Sequence, residues 1–218
     1  PNVYDLWSLL KQECLDAGTG CDVLTLPHNS NLSNGRMFTV PGRDRPIEEQ
    51  RSMARQRAAL EPLVEIFQIK GQSECRNDMY GIVAAPDEFC RFEEWRAPTT
   101  PDCEEGTGAG ALAGQGCVSR LDYVRNVLVE GFREQKRIGV NPYKLGIIAA
   151  TDTHNGTPGA VDEADWLGHV GNNDREPQSR LDGSTLPPGE WKFSAGGLTG
   201  VWAQENSRDA IFMALRRR

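Results

Sequence analysis

The chain has 218 residues, enough for one domain with a substantial core. Twenty-four Lys and Arg against 31 Asp and Glu give a net charge of −7, which argues against a nucleic-acid partner that needs a basic face. The longest apolar run, residues 146–150, falls far short of the roughly 20 residues that cross a bilayer.

Residues 5–15 carry Leu6, Leu9, Leu10 and Cys14 at helical spacing, and Gly18-Thr19-Gly20 ends the run. Residues 22–26 then read as a short buried strand stopped by Pro27. Residues 28–46 are loop-like, rich in Asn, Gly and Pro. A second helix is expected over 46–60, with Pro46 near its first turn and a charged outer face. Residues 63–69 read as the second strand, ended by Lys70-Gly71. Residues 97–117 form a Gly/Pro-rich inserted loop whose glycines do not fall at phosphate-binding spacing. The clearest helix spans 121–139, with Leu121, Val124, Leu128 and Phe132 on one stripe. Residues 144–150 and 199–203 read as the third and fourth strands, and Ser207 caps a last helix.

Near-continuous apolar strands separated by helices imply an α/β fold with a parallel sheet covered on both faces. Four strands are too few to close a barrel but could be half of one. Pro1-Asn2-Val3 shows no initiator Met or signal pattern, and the last helix runs to Arg216-Arg217-Arg218 without a cap. The chain therefore reads as one incomplete domain of a longer protein.

Six cysteines, at 14, 21, 75, 90, 103 and 117, form no Cys-x-x-Cys pair. Their even number suits disulfides and a periplasmic or secreted setting over a cytoplasmic one; the alternative is six reduced thiols. Cys14/Cys21 and Cys103/Cys117 flank turn-like segments, and the Cα atoms of the second pair are expected within about 7 Å.

The polar clusters follow the strands. His28 and Asn29 to Asn31 come after the first, Lys70 to Glu74 after the second, Asp152 to Asn155 after the third, and Gln204 to Arg208 after the fourth. In parallel α/β folds such ends converge on one face. Asp152 and His154, two apart in an extended segment, would point to one side and chelate an ion, with His28 adding a ligand. All three are then expected within about 8 Å. A carboxylate with imidazoles suits zinc, manganese or iron. Lys70, Glu74 and Arg208 are the candidate catalytic residues, and Asn29, Asn31, His169 and Glu205 the candidate substrate contacts. Glu65, inside the second strand, needs a partner, either Lys70 or a ligating histidine.

The motifs around Pro27-His28-Asn29-Ser30-Asn31, Glu61-Pro62-Leu63-Val64-Glu65, Lys70-Gly71-Gln72-Ser73-Glu74-Cys75, Asp152-Thr153-His154-Asn155-Gly156 and Gln204-Glu205-Asn206-Ser207-Arg208 resemble the bacterial domain-of-unknown-function family numbered 3604. That family in turn resembles the PHP (polymerase and histidinol phosphatase) metallohydrolases. The resemblance implies the carboxyl-terminal part of a distorted, TIM-like (β/α)7 barrel with two or more divalent metal ions. His28 would match a late metal-binding histidine, and Asp152 with His154 the terminal ligand pair. Other ligands of such sites have no counterpart here.

The expected function is metal-dependent hydrolysis of a phosphoester or related ester, on a small-molecule or glycan-like substrate. The alternative is a non-catalytic carbohydrate- or anion-binding module with a structural ion and Trp7, Trp95, Trp166, Trp191 and Trp202 as platform candidates. A Cys75 nucleophile is a third reading, with no histidine identifiable as its base.

Overall fold

Asn2 opens the first helix, α1 (Val3–Leu10). Its side chain accepts from the backbone N–H of Tyr4, while the Asp5 carboxylate accepts from the Asn2 N–H, a reciprocal capping box. The computed structural model describes the chain except residues 1, 41, 80–85, 105, 109–115, 172–174 and 183–192. Part of the inserted loop and Trp191 therefore lie outside the described residues. The expected helix over 5–15 is in two parts, because α1 passes into a single π-helical turn, Lys11–Leu15, and the Cys14–Cys21 disulfide closes the reversal that follows.

Helix α2 (Ile47–Leu60) has Glu48 and Glu49 in its first turn and Arg57 in its last, a charge order that favours the helix dipole. Three strands follow: β1 (Leu63–Gln68), β2 (Gly71–Gln72) and β3 (Gly146–Ala149). They form one sheet in the order β2-β1-β3. β1 and β3 are parallel, Leu63 opposite Gly146 and Phe67 opposite Ala149, with a bulge between Glu65 and Phe67. β2 folds back antiparallel through the Ile69-Lys70 turn. Gly71 has φ 82°, and a Cβ there would lie 2.1 Å from the Glu93 carbonyl oxygen, so only glycine fits.

The sheet corrects the barrel expectation. Among the described residues it is a small, open, mixed sheet, and β2 and β3 are both edges, whereas a barrel requires every edge to pair. Two of the four expected strands do not form. Around residues 22–27 the backbone bonds to α2 and β1 are isolated: Thr25 N–H to Leu60 O and Glu65 N–H to Pro27 O. Pro27 has no N–H with which to extend that ladder. Residues 199–203 do not pair as a strand either. Thr199 Oγ1 accepts from Ala149 N–H and donates to Ala149 O, so a side chain takes the backbone positions a strand would use.

Helix α3 (Val124–Ile138) follows a 3₁₀ turn, Arg120–Asp122, capped by Ser119, and ends at Gly139 with φ 78°. Val124 and Val127 pack with Phe38, Val64 and Tyr143 to make the core between α3 and β1. Phe132, expected on the apolar stripe, is 71 % exposed. Glu130 and Glu134 are buried instead, held by Arg43, Arg133 and Arg137. A short helix, α4 (Pro177–Asp182), and α5 (Arg208–Arg217) are the last two α-helices among the described residues; Ser207 Oγ caps α5 by accepting from Ala210 N–H.

All six cysteines are paired: Cys14–Cys21, Cys75–Cys90 and Cys103–Cys117, the last with Cα atoms 5.0 Å apart. With Cys75 bonded, no thiol remains for the nucleophile reading. Among the described residues no helix is long and apolar enough to cross a membrane.

Candidate functional site

Glu65 sits at the β1 bulge, and its backbone N–H takes the Pro27 carbonyl, which brings the next residue, His28, beside its carboxylate. His28 Nδ1 is 2.9 Å from Glu65 Oε1. On the other side of the ring, Nε2 is 3.7 Å from Asp152 Oδ2. Asp152 follows the end of β3, and the Lys70 ammonium, from the β1–β2 turn, is bonded to the same Asp152 oxygen. The imidazole thus lies between two carboxylates, one of them neutralised by a lysine. The hydrogen bond to Glu65 first, and then the Glu65 and Asp152 charges, push the His28 pKa up against partial burial and Lys70. The His28 side chain is 46 % exposed while those of Glu65 and Asp152 are 9 % and 13 % exposed, so the ring is the accessible member.

His154 goes elsewhere. Asp152 has φ 51°, a left-handed conformation, so the segment is not the extended one that would point both side chains to one side. His154 N–H donates to His169 O, and the two Nδ1 atoms are 3.3 Å apart with the rings edge to face. His169 is buried and packs on Phe193.

The other expected residues divide by role. Asn31 is buried; its Nδ2 donates to Lys70 O and Gln72 O and its N–H to Ser73 Oγ, which pins the turn presenting Lys70. Asn29, with φ 57°, precedes a 3₁₀ turn, Ser30–Leu32, and its Oδ1 is buried without a hydrogen bond. Glu74 pairs with Arg125, which also holds Asp87. Glu205 accepts from Ser207 Oγ, and Arg208 is exposed at the start of α5. Among the described residues neither touches the His28 group.

A cleft of about 1320 Å³ opens beside His28. His28 and Asn29 line it with Tyr4, Thr25, Arg36 and Glu61, so His28 is shared between the cleft and the charged group. The family of proteins of unknown function called DUF3604 matches the chain over residues 1–218. The chain belongs to that family. No curated protein and no solved structure matches it.

In this DUF3604 chain, the fit of a metal ion can be judged from the donors. Among the described residues no three or more His, Cys, Asp or Glu side chains are grouped to hold one ion. His28 and Asp152 form a two-donor pair. Two ligand atoms each about 2.0–2.1 Å from a tetrahedral ion lie about 3.3–3.4 Å apart, and the 3.7 Å between Nε2 and Oδ2 is close to that. Glu65 occupies the place of a carboxylate that orients a ligating imidazole, and the Lys70 ammonium is a positive group already resting on Asp152.

One buried pair was not singled out from the sequence. Arg57 and Glu61, four residues apart at the end of α2, have the spacing of an ordinary surface ion pair. They are 1 % and 4 % exposed, and Arg57 lies over the rings of Trp7, Phe38 and Tyr143. Burial drives the Glu61 pKa up to about 7, with Arg57 opposing it. Pro62 accounts for the helix ending at Leu60 with Glu61 as its C-cap; the spacing itself does not report the burial.

Proposed function

We propose that this DUF3604 chain supplies metal ligands and charge-stabilising groups to a hydrolase of phosphoesters or related esters, with chemistry similar to the PHP metallohydrolases. The observation that carries this reading is the His28 ring, bonded to Glu65 through Nδ1 and facing Asp152 through Nε2. A carboxylate on one imidazole nitrogen fixes the tautomer and leaves the other nitrogen free to ligate.

His28 and Asp152 would hold a divalent ion such as zinc, manganese or iron. When bound, such an ion lowers the pKa of a water towards 7 and polarises a substrate oxygen. The chain's own residues do the rest. Glu65 orients His28. Asn31 pins the turn that presents Lys70. Lys70 balances Asp152 and stabilises negative charge that builds on a substrate oxygen beside it. The half-exposed His28 ring gives a substrate in the cleft access to this group.

The test is elemental analysis of the purified full-length protein, followed by phosphatase, phosphodiesterase and sulfatase substrates with added zinc or manganese. The expected result is bound metal and turnover of at least one ester, with both reduced by His28→Ala. Absence of metal uptake together with absence of turnover on the whole panel would overturn the reading.

A further inference from the structure

Lys70 stands on a short turn, and much of what holds that turn lies outside the charged group. Lys70 N–H donates to Gln68 Oε1 at 2.8 Å, and Lys70 O accepts from Asn31 Nδ2 at 3.0 Å. The strand that follows, β2, is only Gly71 and Gln72, and among the described residues no strand pairs with its outer edge. So short a strand does not hold a turn by its own ladder. Its outer edge meets Glu93 instead, whose carbonyl accepts from Gln72 N–H.

The Gln72 side chain supplies the missing support. It is buried, and each of its two polar atoms is used twice. Nε2 donates to Cys75 O at 2.7 Å and to Cys90 O at 3.2 Å, while Oε1 accepts from Glu74 N–H at 2.7 Å and Cys75 N–H at 3.0 Å. These bonds curl residues 72–75 into a turn and tie it to the 3₁₀ turn Glu88–Arg91. The buried Cys75–Cys90 disulfide closes the same junction covalently. A buried network satisfied in this way rigidifies what it holds. From the curled turn the contacts run inward. Ser73 Oγ accepts from Asn31 N–H at 3.2 Å, and Asn31 Nδ2 is shared between Gln72 O and Lys70 O. Lys70 Nζ then rests on Asp152, which faces His28. The path is continuous from Cys90 to Asp152.

We propose that Gln72, braced by the Cys75–Cys90 disulfide, is a positioning residue that keeps Lys70 on Asp152. Its side chain bonds to neither of those two residues, so it acts through Asn31. Asn31 Nδ2 reaches both carbonyls only while the 72–75 turn and the Lys70 turn keep their spacing. When the 72–75 turn opens, Asn31 loses Gln72 O and Ser73 Oγ together, and its hold on Lys70 O loosens with them. The other two disulfides, Cys14–Cys21 and Cys103–Cys117, bridge no residue of this path. The consequence for chemistry rests on the hydrolase reading: a Lys70 that leaves Asp152 takes away the charge that balances this carboxylate and stabilises a substrate oxygen.

The test reads the Lys70 side chain and not turnover, so its failure and the failure of the hydrolase reading are separate results. The full-length protein is acetylated sparingly with acetic anhydride, and peptide mass spectrometry compares Lys70 with the exposed Lys136. The Lys70 side chain is 21 % exposed and ion-paired, so it is expected to react more slowly than Lys136. Gln72→Met keeps the side-chain length, loses all four bonds, and is expected to raise the Lys70 to Lys136 ratio at least about fivefold. Cys75→Ala with Cys90→Ala is expected to raise it at least about threefold. Cys103→Ala with Cys117→Ala, a disulfide off the path, is expected to leave it within about twofold. Slow hydrogen exchange over residues 127–138 of α3 shows that a variant is folded. If Gln72→Met does not fold, the two cysteine pairs carry the test. Lys70 as reactive as Lys136 in the wild type, an unchanged ratio in folded Gln72→Met, or equal increases in the two cysteine pairs would each overturn the proposal.

Discussion

Two mixed-charge groups flank the start of β1, and they differ in what surrounds them. Arg57 and Glu61 are closed in: the guanidinium carbon is 5.1, 5.7 and 5.3 Å from the ring centres of Trp7, Phe38 and Tyr143, and Nη2 donates to Met37 O. His28, Glu65, Asp152 and Lys70 are open, with a half-exposed imidazole at the mouth. Similar residue types thus serve two purposes. A cation enclosed by aromatic faces stabilises the packing of α1, α2 and the core. A charged group with one accessible ring nitrogen can meet a ligand. Exposure, more than residue identity, separates the structural group from the candidate site.

The largest expected effect tests the closed group. Arg57→Ala strands Glu61 and removes the contact to three rings, so urea unfolding should show a loss of about 3–5 kcal/mol. A loss under about 1 kcal/mol would mean that the enclosed pair contributes little, and the contrast between the groups would fail.

Asp152→Asn tests the open group. It should lower ester turnover at least about a hundredfold, while the urea midpoint moves far less than for Arg57→Ala. Comparable losses of stability in the two variants would make both groups structural. Glu65→Gln is gentler, because the amide still contacts His28 but no longer fixes its charge and tautomer. A reduction of about tenfold in metal affinity, read by competition with a chelator, is expected.

A further effect is in pH dependence. Glu61 has its folded pKa raised from 4.5 to about 7. The folded state therefore binds its proton more tightly than the unfolded chain, and folding carries no penalty from this group below pH 4.5. The penalty grows as pH rises from 4.5 to 7 and is complete above 7, on the order of 3 kcal/mol at about 1.4 kcal/mol per pH unit. Glu61→Gln should flatten the stability profile across that window, measured by urea titration at several pH values. A wild-type profile that rises through the window would place the Glu61 carboxyl in a less buried state.

Much of the local structure was legible. Helix α2 starts and stops within a residue of the expected span, and Ser207 caps α5 as its position before a polar, then apolar, run implied. β1 and β3 follow from apolar runs too short for helices. The site was half legible. His28, Lys70 and Asp152 were marked by lying after strands, and two of those strands are the paired ones, β1 and β3. His154 was not legible: its direction depends on the positive φ of Asp152, and nothing in an Asp-x-His spelling reports a backbone turn.

By itself, then, the sequence determined helices α2, α3 and α5 in outline, the strands β1 and β3, the pairing tendency of Cys14 with Cys21 and Cys103 with Cys117, and the strand-end gathering of polar residues. These depend on periodicity, caps and turn residues, which act over a few positions. Tertiary structure decided that the sheet stays open, that Cys75 meets Cys90, that Glu61 and Arg57 are buried, and that His28 rather than His154 faces Asp152. Those outcomes rest on contacts between residues far apart in the chain, such as Thr199 taking the β3 edge bonds and Tyr143 closing over Arg57. Local patterns carry no record of which distant group arrives, because the same short segment is compatible with many partners until the core packs.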